Sequence, residues 1–163
     1  MPLSLFGSRT VSPRLERLRA LSLFVDLTPA ELRIVDGLLH ERDFLENEVI
    51  FDQGDEGQAL YIIVEGEVLI RRQGMGHSEN GGKLALLTAG KFFGELALLD
   101  DEARSAQAVA ATNCQLAVFF RADFLGLLDT HARIASKVGR QLARHIGRRM
   151  RELALAAGAL QHL

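Results

Sequence analysis

The chain is 163 residues long, 48% apolar and 25% charged, with a formal net charge of -2 at neutral pH. That length suits one domain with a sizeable core, and the charge balance gives no global reason to expect attraction to nucleic acid or an anionic membrane. A single cysteine, Cys114, excludes an internal disulfide framework, and no apolar run approaches the ~18 residues of a membrane span.

Residues 1–12 hold Pro2, Gly7 and several hydroxyl residues and read as a loose lead-in, with too short an apolar stretch for a secretory signal. From Pro13 to Leu23, Leu15, Leu18 and Leu21 recur at helical spacing. Thr28-Pro29-Ala30-Glu31 is a capping box with proline at the first helical position. It predicts a second helix to about Leu39, with Leu32, Val35 and Leu38 or Leu39 facing inward. After His40 the period changes. The runs VIF, ALYIIV and VLIRR are separated by QGDEG and EGE, and a polar loop, QGMGHSENGG, leads to KLALLTAG. Two more strands are expected at about Gln107–Ala111 and Gln115–Phe120, and Gly54, Gly66 and Gly90 are read as turn residues. Cys114 opens the apolar run CQLAVFF, where a buried structural thiol is expected. With no disulfide framework, the expected compartment is reducing, the cytoplasm.

Short strands with a glycine at nearly every corner predict a mainly β fold with flanking helices, an antiparallel β-barrel or jelly roll. A short helix, Ala122–Leu128, and a long one from about His131 to Ala156 follow. On the long helix Ile134, Val138, Leu142, Ile146, Met150 and Leu153 form an apolar stripe, and Arg140, Arg144, Arg148 and Arg151 a basic one. The expected organisation is a lead-in at 1–12, a barrel with flanking helices at 13–128, and a long C-terminal helix and tail at 129–163.

The stretch from Phe92 to Val109, FFGELALLDDEARSAQAV, carries the chemistry. Gly94 allows close approach of the backbone to a ligand. Glu95–Leu99 can make one helical turn whose first N–H groups face an anion. Arg104 supplies a planar cationic fork for phosphate oxygens, and Ser105 and Ala106 are small enough to leave room beside it. Glu95 beside a phosphate makes sense if it accepts from a ligand donor such as a ribose 2′-OH. The alternatives are a helix N-terminal acid for Glu95, a surface ion pair to Asp100 or Asp101 for Arg104, and a local hydrogen bond for Ser105.

FGELALLDDEARSA resembles the phosphate-binding cassette of cyclic nucleotide-binding domains, found in kinase regulatory subunits, nucleotide-gated channels and catabolite-activator-type transcription factors. With IFDQGDEGQALYIIVEGEV upstream, the resemblance extends from about Leu23 to about Met150. It implies that Glu95 binds the ribose hydroxyl and Arg104 the cyclic phosphate, with Gly94, Leu96, Ala97, Ser105 and Ala106 lining the cassette. Members that prefer cGMP often carry threonine where Ala106 stands, so the implied ligand is cAMP, with cGMP second. Bacterial members offer hydroxyl side chains on the long helix to the adenine; the matching positions here are Arg149 and Met150, either a base contact or, for Met150, part of a dimer seam.

His40, His77, His131, His145 and His162 are scattered, and no HExxH, nucleophile elbow or P-loop occurs. The expectation is a protein that is not an enzyme and needs no metal or other cofactor. The implied relatives carry a DNA-binding domain after the long helix, for which this sequence is too short. The helix itself is longer than one small barrel covers, which points to a homodimer; packing on its own barrel is the alternative. The basic stripe reads as a solvated face, with a protein, nucleic-acid or lipid contact as the alternative. The leading expectation is a cyclic nucleotide-binding regulatory module whose C-terminal helix moves on binding and signals to a separate protein. The competing one is a ligand-independent dimeric scaffold with an idle pocket.

Overall fold

The computed structural model describes residues 12–72 and 82–158. The lead-in up to residue 11 and most of the polar loop, residues 73–81, lie outside the described residues. Helix α1 (Pro13–Arg19) ends sooner than the leucine spacing predicts. The amides of Leu21, Phe24 and Leu27 donate to carbonyls three residues back, so the chain proceeds as successive turns. Those turns lower Leu21, Leu23, Phe24 and Leu27 into the core. Helix α2 (Pro29–Asp36) begins with the expected capping box: Glu31 N–H donates to the Thr28 hydroxyl at 3.2 Å and Thr28 N–H to the Glu31 carboxylate at 2.8 Å. It stops at Asp36, not Leu39, because Gly37 follows and Leu39 already belongs to a strand.

The strands are β1 (Leu39–Phe44), β2 (Val49–Phe51), β3 (Ala59–Glu65), β4 (Glu67–Arg71), β5 (Lys83–Thr88), β6 (Phe92–Phe93), β7 (Gln107–Ala110) and β8 (Cys114–Phe120). They form two four-stranded sheets ordered β1-β8-β3-β6 and β2-β7-β4-β5. The pairs β1·β8, β2·β7, β3·β6 and β4·β5 nest inside one another, and all are antiparallel. This is the wrapped long hairpin of a jelly roll. Gly54, Gly66 and Gly90 all have positive φ, as turn residues there should.

Alternation along the strands divides the core. Leu60 and Ile62 of β3 and Ala117 and Phe119 of β8 face the helices. Ile63, Cys114 and Leu116 from the same strands join Val68, Phe93, Ala108 and Ala110 in a second cluster. Cys114 is buried, its Sγ 3.1 Å from the Glu67 carbonyl oxygen. Helix α3 (Arg121–Thr130) is joined to α4 (Ala132–Ala156) by His131, which ends one helix and starts the next.

The proximal part of α4 buries Ile134, Ala135, Val138 and Leu142, each side chain of this size contributing roughly 1.5–3 kcal/mol for the larger ones. Polar ties hold it to the N-terminal segments: Lys137 to Glu31 at 2.7 Å, and Gln141 and Arg140 to Asp26 at 2.6 and 3.3 Å. The apolar stripe divides in function further along, because Met150 and Leu153 are 66% and 67% exposed. Arg144, Arg148 and Arg151 are exposed. No helix among the described residues is long and apolar enough to cross a membrane.

Candidate functional site at the 94–106 cassette

Strand β6 ends at Gly94, which takes φ 71° and ψ 21° and turns the chain into a 3-10 turn, Glu95–Leu98. The left-handed backbone at Gly94 sends the Glu95 side chain inward, leaving that residue 5% exposed. Leu96 and Ser105 are exposed, whereas Ala97 and Ala106 are buried. The Ala97 amide already donates to the Gly94 carbonyl at 3.2 Å.

Arg104 is fixed by its backbone before its side chain does anything. Its N–H donates to Asp55 O at 2.7 Å, and Gly54 N–H donates to its carbonyl at 2.8 Å. The loop between β2 and β3 therefore clamps the residue, and the side chain runs inward between the sheets, 9% exposed. The guanidinium carbon lies 4.1 Å from the Phe51 ring centroid and 5.6 Å from that of Tyr61. Tyr61 in turn stacks on Phe93 at 5.4 Å. Nη1 donates to Gly94 O at 3.2 Å and Nη2 to Ala59 O at 2.8 Å, while Nε is enclosed with no partner.

Among the described residues no carboxylate is in ion-pair contact with Arg104. The surface-pair alternative fails here, because Arg121 holds Asp101 and donates to the Asp100 carbonyl at 2.8 Å. Burial lowers the Arg104 guanidinium from its ordinary value, against Tyr61, Asp55 and Glu95. The group stays protonated near neutral pH. A buried cation with an unused N–H and no counter-ion among the described residues has the chemistry to receive an anion.

Glu95 is met from α4. Arg149 Nη1 donates to its Oε1 at 2.9 Å, and His145 Nε2 stands 3.8 Å from the same oxygen. The His145 ring packs on Phe92 with centroids 4.4 Å apart. Burial holds this imidazole below its ordinary value; Glu95 and Glu152 oppose that, and Arg149 and Arg148 reinforce it. Arg149 thus reaches the carboxylate, whereas Met150 turns to solvent.

A family model described as the cyclic nucleotide-binding domain matches residues 41–131. The chain belongs to that family. The matched residues take in both sheets, the cassette and α3, and stop before α4. The cyclic AMP receptor protein of Thermus thermophilus is 40% identical over 130 residues, which is 80% of this chain and 57% of that protein. The cAMP-dependent protein kinase regulatory subunit of Mycosarcoma maydis is 38% identical over 89 residues, 55% of this chain and 16% of the subunit. The crystal structure of Thermus thermophilus catabolite activator protein superposes with a TM-score of 0.74 at 39% identity, covering 85% of this chain and 62% of that one. The cyclic nucleotide-binding domain here accordingly spans somewhat over half of these bacterial relatives and a small part of the kinase subunit.

The fold gathers Gly94, Glu95, Arg104 and Arg149 in one place. Phe51, Tyr61, Phe93 and His145 were not picked out by the sequence reading. The alternation of β3 does put Tyr61 on the same side as Ile63, away from the helix-facing Leu60 and Ile62. His145, beside Ile146 on the edge of the apolar stripe, carries no comparable signal.

Proposed function

We propose that this chain is a regulatory module that binds a cyclic nucleotide, preferentially cAMP, in the 94–106 cassette. The cyclic phosphate lies against Arg104, taking its Nε–H and a remaining Nη–H, and the ribose hydroxyl lies against Glu95. The observation that carries this reading is the buried Arg104 guanidinium, in ion-pair contact with no carboxylate among the described residues and holding an unused donor. Two charge-assisted bonds of about 1.5–3 kcal/mol each supply a large part of the ~8 kcal/mol of a micromolar complex. Ala106 offers no hydroxyl to a guanine, which supports the preference for cAMP.

Because α4 touches Glu95, a ligand at Glu95 has different contacts with different positions of this helix, and occupancy shifts its placement. The signal then passes to a separate protein. Isothermal titration with cAMP and cGMP tests the reading, alongside thermal denaturation. cAMP raises the melting temperature through RT ln(1 + [L]/Kd), and Arg104→Ala removes most of that rise. No heat and no shift at millimolar cAMP or cGMP would overturn it.

The exposed Met150, Leu153 and Leu155 support a second reading, self-association through the distal part of α4 with or without ligand. Sedimentation of Leu153→Lys against the unaltered chain tests it: a dimer converted to monomer supports the reading, and unaltered protein that sediments as a monomer at high concentration opposes it.

A further inference from the structure

The polar atom in the site that the nucleotide reading leaves without a role is Nε2 of His145. It is enclosed and has no hydrogen-bond partner among the described residues. The Glu95 carboxylate oxygen Oε1 is 3.8 Å away, beyond direct hydrogen-bond distance, and it already accepts from Arg149. The ring is packed against Phe92, with centroids 4.4 Å apart and the planes tilted by 43°. An oxygen placed about 2.8 Å from each group would bridge the gap. With the proton on Nε2, such an oxygen accepts from the imidazole N–H and donates to the carboxylate, which a hydroxyl or a water does and a phosphate oxygen or a carbonyl does not.

Resting on the nucleotide reading, we infer that His145 is a sugar-hydroxyl contact, sharing with Glu95 the one free hydroxyl of a 3′,5′-cyclic ribose. The hydroxyl accepts from His145 Nε2–H and donates to Glu95. Arg149 keeps its place on Oε1 and neutralises Glu95, so the Arg104 charge stays available to the phosphate. The groups facing the imidazole are consistent with a neutral ring in this role: Glu95 from the cassette, Phe92 from β6, and Arg148, Arg149 and Glu152 from α4 itself. The sugar half of the pocket is therefore completed by α4, which lies beyond the residues that match the family model. A ligand lacking the hydroxyl can fill the cassette without engaging the helix.

The test is a ligand-by-residue cycle, measured by isothermal titration with cAMP and 2′-deoxy-cAMP. The proteins are the unaltered chain, His145→Phe, which keeps a ring on Phe92 but no nitrogen, and His145→Gln, which keeps an N–H donor. The unaltered chain prefers cAMP, and His145→Phe weakens cAMP about tenfold, the loss of one hydrogen bond, while 2′-deoxy-cAMP changes less than about twofold. His145→Gln retains most of the preference for cAMP. Equal weakening of both ligands by His145→Phe overturns this inference alone, whereas an unaltered chain that does not distinguish them overturns it together with the placement of the ribose hydroxyl at Glu95. Failure of the unaltered chain to bind either nucleotide overturns the nucleotide reading and this inference with it.

Discussion

Replacing Gly94 with alanine tests how closely the cassette is built around Arg104. At φ 71° an L side chain costs about 1–2 kcal/mol. The added Cβ would also stand 2.5 Å from Arg104 Nη1 and 3.2 Å from Ala59 O. The guanidinium is the more mobile of the two, so it is the guanidinium that moves, giving up its 3.2 Å bond to Gly94 O. With about 1 kcal/mol for that bond, Gly94→Ala should cost about 2–3 kcal/mol. For a domain of this size that is a fall of about 5–10 °C in melting temperature. Gly90→Ala is the control, because its φ is 85° and a Cβ there meets nothing within 4 Å. It carries only the backbone cost, about 2–6 °C. Scanning calorimetry of the ligand-free chain measures both, and of Gly94→Ala combined with Arg104→Ala, where the extra penalty should vanish. If Gly94→Ala melts no lower than Gly90→Ala, or if its extra penalty persists without the Arg104 side chain, the contact is not its source.

Four further outcomes can be checked by denaturation. Arg149→Ala strips Glu95, whose side chain is 7% exposed, of its only direct cationic donor among the described residues and should cost about 1–2 kcal/mol after solvent screening of the half-exposed arginine; an unchanged urea midpoint would refute the pairing. Thr28→Ala removes the cap of α2 and should cost about 1 kcal/mol, seen as a melting temperature about 2–4 °C lower, with Thr28→Ser close to the parent. His145 is held neutral by burial, so the unfolded chain takes up its proton first, and stability should fall as pH drops through the ordinary value of 6.5. His145→Phe should flatten the change in urea midpoint between pH 7.5 and 5.5, and an equal drop in both proteins would disprove the assignment. Asp26 and Glu31, held low chiefly by hydrogen bonds from Gln141 and Lys137, lose their stabilising contribution only at more acid pH, below the ordinary values of 3.8 and 4.5.

What was legible in the sequence was whatever is encoded locally. The capping box at Thr28, the short apolar runs of β2, β3, β4 and β8, and the long stripe on α4 each appear within a residue or two of their expected place. Strand β1 was not foreseen, because LHERDF has no alternation and its burial decreases immediately after Leu39. It exists through its partner, pairing with β8 from Leu39·Phe119 to Phe44·Cys114. The two-residue β6 is likewise created by its pairing with Tyr61 and Ile62. In the cassette, residue types and spacing pointed to Glu95 and Arg104, but not to what surrounds them. The Phe51 and Tyr61 rings under the guanidinium and the two side chains that α4 brings to Glu95 come from segments far apart in sequence. No window short enough to be read locally contains them.

Helix α4 is a stiff rod fastened at two separated points: to Asp26 and Glu31 through Lys137 and Gln141, and to Glu95 through Arg149. At 1.5 Å per residue, Arg149 stands about 12 Å beyond the Gln141 fastening and Ala156 about 22 Å beyond it. With the first fastening as fulcrum, each ångström of displacement at Glu95 would become nearly two at the far tip, which would put the carboxylate on the short arm of a lever.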